Sequence, residues 1–225
     1  MASNGRPARP ADDVVVIGLG RFGGQVAASL VRLGHDVLGI DEDPKLVQQL
    51  ADTLTHVVQA DATDEQVLRQ LGVPEFRRAV VGIGTDVEAS VLTVLALHEV
   101  GLREIWAKAT SAKHGRILRS VGANHVIFPE SVMGERVAHL ITSRMLDFIE
   151  FDDGFAIAKT RAPGEGVGRT LGESALRSKY GVTVVGVKRT GEDFVYAQPS
   201  TTLQADDVLI VAGRTELVER FAAVT

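Results

Sequence analysis

One short stretch restricts the fold of this chain more than any other, Gly18-Leu19-Gly20-Arg21-Phe22-Gly23. It follows directly on a β-branched run at residues 14–18. It also opens a segment, residues 21–33, in which Phe22, Val26, Leu30 and Leu33 share one helical stripe and Gly34 lies beyond the end. A G-x-G-x-x-G string alone is a weak signal. Between a strand and a helix it specifies a tight turn at Gly18, close backbone approach to an anion at Gly20, and close helix–strand packing at Gly23. The helix end then offers unpaired N–H groups and the positive end of its dipole to a phosphate. A glycine-rich turn without a ligand is the plain alternative.

Alternating strand and helix patterns continue from there. Strands are expected at residues 36–40, 56–59, 78–82, 104–109 and 125–128. Helices are expected at 44–54, with Asp43 as N-cap and Pro44 in the first position, and at 87–100 and 112–120. Thr63 and Gln66 read as a capping box opening another helix, which leaves Asp61 free for a different task. Strands that alternate with helices need long crossovers and so build a parallel sheet covered on both faces. The fold class is therefore α/β: a doubly wound, Rossmann-type parallel sheet over residues 13–130, preceded by a flexible arm at 1–12. After a bridging helix (131–144, within a crossover segment 131–145) the pattern changes to short strands at 146–151, 155–159, 182–188, 194–197 and 208–212. Helices are expected at 170–179 and 215–223. This second, α+β module (146–225) is small for a core of its own, so dimerisation is expected.

Composition narrows the function classes. With 24 Lys+Arg against 29 Asp+Glu the net charge is −5, which argues against a nucleic-acid partner. Zero cysteines exclude disulfides, thiolate metal sites and cysteine nucleophiles. No apolar run approaches the ~20 residues that cross a bilayer, and a cytoplasmic protein is expected. The helix at 87–100 is apolar almost all round, which points to a subunit interface or to deep burial in the monomer.

The candidate site lies at the carboxyl ends of the first sheet's strands. Asp41, 18 residues after Gly23, can accept hydrogen bonds from ribose, or can simply end its strand. Glu42 and Asp43 follow it, and three acids together disfavour the 2′-phosphate of NADP. Asp61 sits at the next strand mouth, as an adenine neighbour or a turn former. Gly82-Ile83-Gly84 closes another strand, where backbone approach to a ligand and turn chemistry are equally good readings. Arg21 adds a cation suited to a further phosphate, as in ADP or ATP, unless it is merely a solvated side chain. The second module has no histidine and no Ser/Tyr/Lys cluster, and His114 and Lys108 lack evident catalytic partners, so no catalytic residue is assigned.

Several strings together carry a resemblance: VVVIGLGRFGGQVAASLVRLGHDVLGID, QADATDEQVLRQLGV, AVVGIGTDVEASVLTVLALHEVG and IWAKATSAKHGRILRSVGANHVIFPESVMGERVA, then SKYGVTVVGVKR and DDVLIVAG near the end. The chain resembles the RCK family of regulators of potassium conductance, in particular the KtrA/TrkA subunits of bacterial potassium uptake systems. The resemblance implies homodimers assembled into an octameric ring beneath a KtrB/TrkH-like membrane channel subunit. It also implies a Rossmann cleft for ATP or ADP, with NAD or NADH as the alternative. The cleft residues it implies are Gly18, Gly20, Arg21, Phe22 and Gly23, with Asp41 on ribose, Asp61 and Ala62 flanking adenine, and Gly84 and Glu88 nearby. Lys108 and Glu130 would face the phosphates, Glu130 as a ligand for Mg or another divalent cation or else as a helix-capping acid. In the second module Arg177, Val184, Val185 and Pro199 would line a cyclic di-AMP site, and a plain dimerisation module is the alternative.

Overall fold

The structure is a computed structural model that describes residues 13–225; the arm expected at 1–12 lies outside the described residues. The chain divides into two compact units, 1–130 and 131–225.

In the first unit β1 (Val14–Ile17), β2 (Val37–Asp41), β3 (His56–Gln59), β4 (Arg78–Val81), β5 (Glu104–Lys108) and β6 (His125–Ile127) form one parallel sheet in the order β3-β2-β1-β4-β5-β6. The strands' period of two explains why both faces are covered. Val14 and Val16 of β1 pack with Leu30 and Val31 of α1 (Arg21–Arg32) and with Leu46 and Leu50 of α2 (Pro44–Leu50). Val15 and Ile17 pack on the other face with residues of α3 (Glu65–Gln70), α4 (Val87–Glu99) and α5 (Ala112–Ser120), namely Leu68, Val94, Leu97 and Leu118. Strand order reverses at β1, between β2 and β4. A crevice opens at such a reversal because the connections on its two sides leave in opposite directions.

Helix α4 buries Ser90, Thr93, Val94, Ala96 and Leu97, while Val87 and Leu92 are exposed, so its apolar surface is only partly used within the chain. Helix α2 stops at Leu50, four residues short of the expected end. Helix α3 is capped by Asp64, whose side chain accepts from the Gln66 N–H, and the expected Thr63 capping box is absent.

The second unit contains most of α6 (Pro129–Thr142), which begins and ends two residues earlier than expected. β7 (Asp147–Phe151), β8 (Phe155–Arg161), β9 (Thr183–Lys188), β10 (Phe194–Tyr196) and β11 (Val208–Arg214) form an antiparallel sheet in the order β10-β9-β11-β8-β7. The helix expected at 170–179 is two short ones, α7 (Leu171–Ser174) and α8 (Leu176–Tyr180), because Ala175 between them takes a left-handed conformation, φ 50°. α9 (Thr215–Ala222) closes the core with Val218, Phe221 and Ala222.

A buried ion pair ties this module together. Asp207 is fully buried and accepts from Arg189 Nε at 2.9 Å, from Arg189 Nη2 at 3.2 Å and from the Gln204 N–H at 2.8 Å. Removing Asp207 leaves the Gln204 N–H unpaired, while the partly exposed Arg189 keeps the Thr202 carbonyl and Glu192. Asp207→Ala should therefore lower stability by about 1–3 kcal/mol in urea unfolding, the cost of an unsatisfied buried group.

Candidate functional site

A cleft of about 530 Å³ opens at the carboxyl ends of the first sheet's strands. Its floor is the turn between β1 and α1. Gly18 has φ 82°, a conformation that side-chain-bearing residues resist. A Cβ on Gly23 would come within 1.8 Å of the Gly18 carbonyl oxygen, so α1 can sit this close to the turn only with glycine at 23. Gly18, Gly20, Arg21 and Phe22 line the cleft; Gly23 packs behind it.

One end of the cleft is acidic, with Asp41, Glu42 and Asp43. Asp41 Oδ2 accepts from the Leu19 N–H at 2.5 Å and Oδ1 from the Asp43 N–H at 2.8 Å, which fixes the carboxylate between the glycine turn and the end of β2. A ribose would share these oxygens with the backbone. Asp61 does not line the cleft. Its Oδ1 accepts both from Thr63 N–H at 2.8 Å and from Thr63 Oγ1 at 2.6 Å, which holds its carboxyl below the usual carboxylate range. The expectation that Thr63 is used elsewhere and Asp61 is free is thus corrected: the two residues are each other's partners. Loss of solvent and the nearby Asp61 carboxylate push Glu42 above the usual carboxylate range.

At the other end Lys108 Nζ lies 2.6 Å from Glu130 Oε1 and 5.7 Å from the centroid of the Phe22 ring. The lysine holds Glu130 below the usual carboxylate range, with help from its own backbone and from Arg21. Glu130, expected as a ligand for a divalent cation or as a helix-capping acid, pairs with Lys108 from the first turn of α6. Arg21 is exposed at the start of α1 and forms no ion pair among the described residues.

Ala62 and Gly84 also line the cleft, whereas Glu88 is exposed in the first turn of α4 and does not. Thr63, Thr85, Asp86, Thr93 and Thr110 line it without having been expected. Thr93 is fully buried with an unpartnered hydroxyl, and the signal for it was a threonine inside an otherwise apolar helix. Among the described residues no histidine, serine, tyrosine or cysteine lines the cleft. His114 is 3% exposed, and burial lowers its pKa, which keeps it neutral beside Thr110.

The second expected site fits less well. Val184 packs on the module's core, while Val185 is 43% exposed. The two point to opposite faces, as neighbours on a strand do, and the bulge at Val185 then shifts the alternation so that Gly186 and Val187 are both buried. Val182 and Val187 are buried and cannot line a surface site. Arg177 is exposed on α8, and the Pro199 carbonyl accepts from the Gly172 N–H at 2.9 Å.

Gly23→Ala should cost stability at the upper end of the ~1–3 kcal/mol seen for overpacking, since the obstacle is backbone; thermal melting checks it. The Glu130–Lys108 pair has a pH signature. Because Glu130 is depressed in the folded chain, its contribution is present above the ordinary carboxylate value of 4.5 and is lost as pH falls through the folded value. Glu130→Gln should flatten the acid limb of stability against pH below that value, and leave neutral stability nearly unchanged because the carboxylate is exposed.

Residues 14–129 match the TrkA-N domain model and residues 162–224 the TrkA-C domain model. The Ktr system potassium uptake protein C of Bacillus subtilis is 36% identical over 93% of this chain and 95% of its own length. The Ktr system potassium uptake protein A of Vibrio alginolyticus is 36% identical over 88% of this chain and 90% of its own length. Among solved structures, the GsuK RCK domain has a TM-score of 0.65 at 22% identity, covering 97% of this chain and 49% of that one. A GsuK channel bound to NAD has a TM-score of 0.64 at 21% identity, covering 98% of this chain and 40% of that one. The chain thus spans about half or less of these solved chains, and at such identity they speak to the fold alone. No described helix is long and apolar enough to cross a membrane. With both domain models matched in order and relatives aligned along nearly its whole length, the chain belongs to the TrkA-N/TrkA-C family that includes the Ktr system potassium uptake proteins.

Proposed function

We propose that this chain is a regulatory subunit that takes an adenine nucleotide, ATP or ADP, into the first domain's cleft. As an oligomeric ring it would set the conductance of a membrane-embedded potassium channel or transporter subunit. The observation that carries the nucleotide reading is the polarity of the cleft. The acids Asp41, Glu42 and Asp43 and the cations Arg21 and Lys108 line the same cleft. A nucleoside's hydroxyls suit the acids, and its phosphates suit the cations and the start of α1. The family membership and the potassium-uptake relatives support the transport context. The partly exposed apolar surface of α4 supports assembly, for which a dimer building an octamer is the proposed form.

The mechanism follows from the Lys108–Glu130 pair. A phosphate entering beside Arg21 competes with Glu130 for Lys108. The released Glu130 carboxylate is then available to a divalent cation such as Mg, or to a partner subunit. Cleft occupancy is thereby written into the first turn of α6. For this to regulate anything, ATP and ADP must bind two assembly states with different affinity. The cleft lining holds nothing suited to turnover, so binding rather than catalysis is the proposed role. The second reading, an NAD(H) sensor or oxidoreductase, rests on Asp41 at the ribose end of a glycine turn, which serves dinucleotides equally well.

Calorimetric titration with ATP, ADP, NAD, NADH and cyclic di-AMP separates these readings. ATP or ADP should bind at least about tenfold more tightly than NADH, and the reverse order selects the second reading. Cyclic di-AMP tests the C-terminal module independently. Arg21→Ala should weaken ATP by about tenfold or more, the scale of one charge-assisted phosphate contact, and ADP by less. Equal losses for the two nucleotides remove Arg21 from terminal-phosphate sensing.

A further inference from the structure

Away from the cleft, within the second unit, three metal-ligating side chains converge. Glu135 and His139 are one helical turn apart on α6, and Glu150 stands on β7. One ligand atom from each lies within 4.8 Å of the others. The imidazole is held on two further sides. Its Nδ1 is 2.9 Å from Glu219 Oε1 of α9, and its ring stacks on Phe148 with centroids 4.6 Å apart. Glu150 is anchored as well, since its Oε1 accepts from Thr215 Oγ1 at 2.8 Å.

We infer that Glu135, His139 and Glu150 form a binding site for a divalent transition-metal cation of the zinc type, with water completing the coordination. Three observations carry this. First, Glu135 and Glu150 form no ion pair with Lys or Arg among the described residues, so two uncompensated carboxylates meet at one imidazole. Second, Glu219 Oε1 stands 2.9 Å from Nδ1, so the ring has a carboxylate behind it and Nε2 as its other nitrogen. This carboxylate–histidine arrangement is what most metal-ligating histidines have behind them. Third, one imidazole nitrogen and two carboxylate oxygens suit zinc, manganese or cobalt, whereas magnesium favours oxygen alone. Ligand atoms on zinc stand ~3.3 Å apart, as bonds of ~2.0–2.1 Å at tetrahedral angles require. The two glutamates are exposed, so rotamer changes can close the remaining gap while His139 stays fixed. A bound cation would fasten α6 to β7, in place of the weak attraction between a histidine and nearby acids.

The test uses the full chain, stripped with chelator and dialysed to equilibrium against zinc, with bound metal counted by mass spectrometry. Cobalt serves as a spectroscopic probe. One equivalent per chain is expected, and cobalt should give the intense visible bands of a four-coordinate site. His139→Ala should abolish both. Glu135→Gln and Glu150→Gln should each weaken zinc by about tenfold or more. Glu219→Gln, which removes only the negative charge behind Nδ1, should cost about 10–100-fold. Circular dichroism of the stripped variants checks folding, and the isosteric Glu150→Gln keeps the test decisive if His139→Ala fails to fold. Absence of retained zinc in the parent chain overturns the assignment. So does unchanged affinity in Glu150→Gln, or a stoichiometry that falls with Glu130→Gln instead, which would put the cation in the cleft.

Discussion

The closeness of α1 to β1 is the constraint on which the first domain depends. Helix and strand meet through backbone, with residue 23 lying so near the Gly18 carbonyl that no side chain fits between them. That contact brings the N–H groups of the first helical turn to the edge of the sheet, at the place where strand order reverses. Asp41 then locks the arrangement from the neighbouring strand by accepting the Leu19 N–H. A carboxylate usually read as a ligand contact is therefore also a structural bond. The geometry that would receive a nucleotide is held before one arrives, which reduces the ordering cost of binding.

The two ends of the cleft differ in how tightly their charges are held. At the acidic end Asp41 is engaged by two backbone donors, so it can rearrange only by breaking both bonds. At the cationic end a single ion pair joins Lys108 to a largely exposed Glu130, and Arg21 forms no ion pair among the described residues. Exposed pairs are weak and exchange partners readily. A ligand thus meets a rigid end that positions it and a labile end that responds to it.

Much of this was legible in the sequence because it is local. Strand–turn–helix periodicity, the Asp43 cap and the glycine turn are set by neighbours a few residues apart, and the six-stranded parallel sheet followed from their alternation. What was not legible depends on partners distant in the chain or on single backbone torsions. The split of residues 170–179 comes from one alanine in a left-handed conformation, to which composition is blind. The burial of both Gly186 and Val187 comes from a bulge at Val185 against β11, a strand more than 20 residues away. Asp61 and Thr63 were separated by a capping rule that both Thr63 and Asp64 satisfy, and the structure chose Asp64. The pairing of Lys108 with Glu130 spans two elements and has no local sign at all. Thr93 is the instructive case, since a polar residue in an apolar helix was visible but its place on the cleft wall was not.

In the proposed regulation, discrimination between ATP and ADP must arise at the labile end. The two nucleotides present the same base, ribose and first phosphates to the rigid end, so contacts there cancel in any difference between them. Each tenfold preference of one assembly state for ATP over ADP requires about 1.4 kcal/mol of interaction that changes with the last phosphate. Arg21 and the Lys108–Glu130 pair are the groups placed to supply it, through direct contact and through a change of ion-pair partner. Because Glu130 lies in the first turn of α6, a change of its partner is a change at the start of the element that leads into the second domain. Rearranging a weak, exposed pair costs little in itself, and a small cost is what a switch needs if modest differences in phosphate binding are to move the balance between two states.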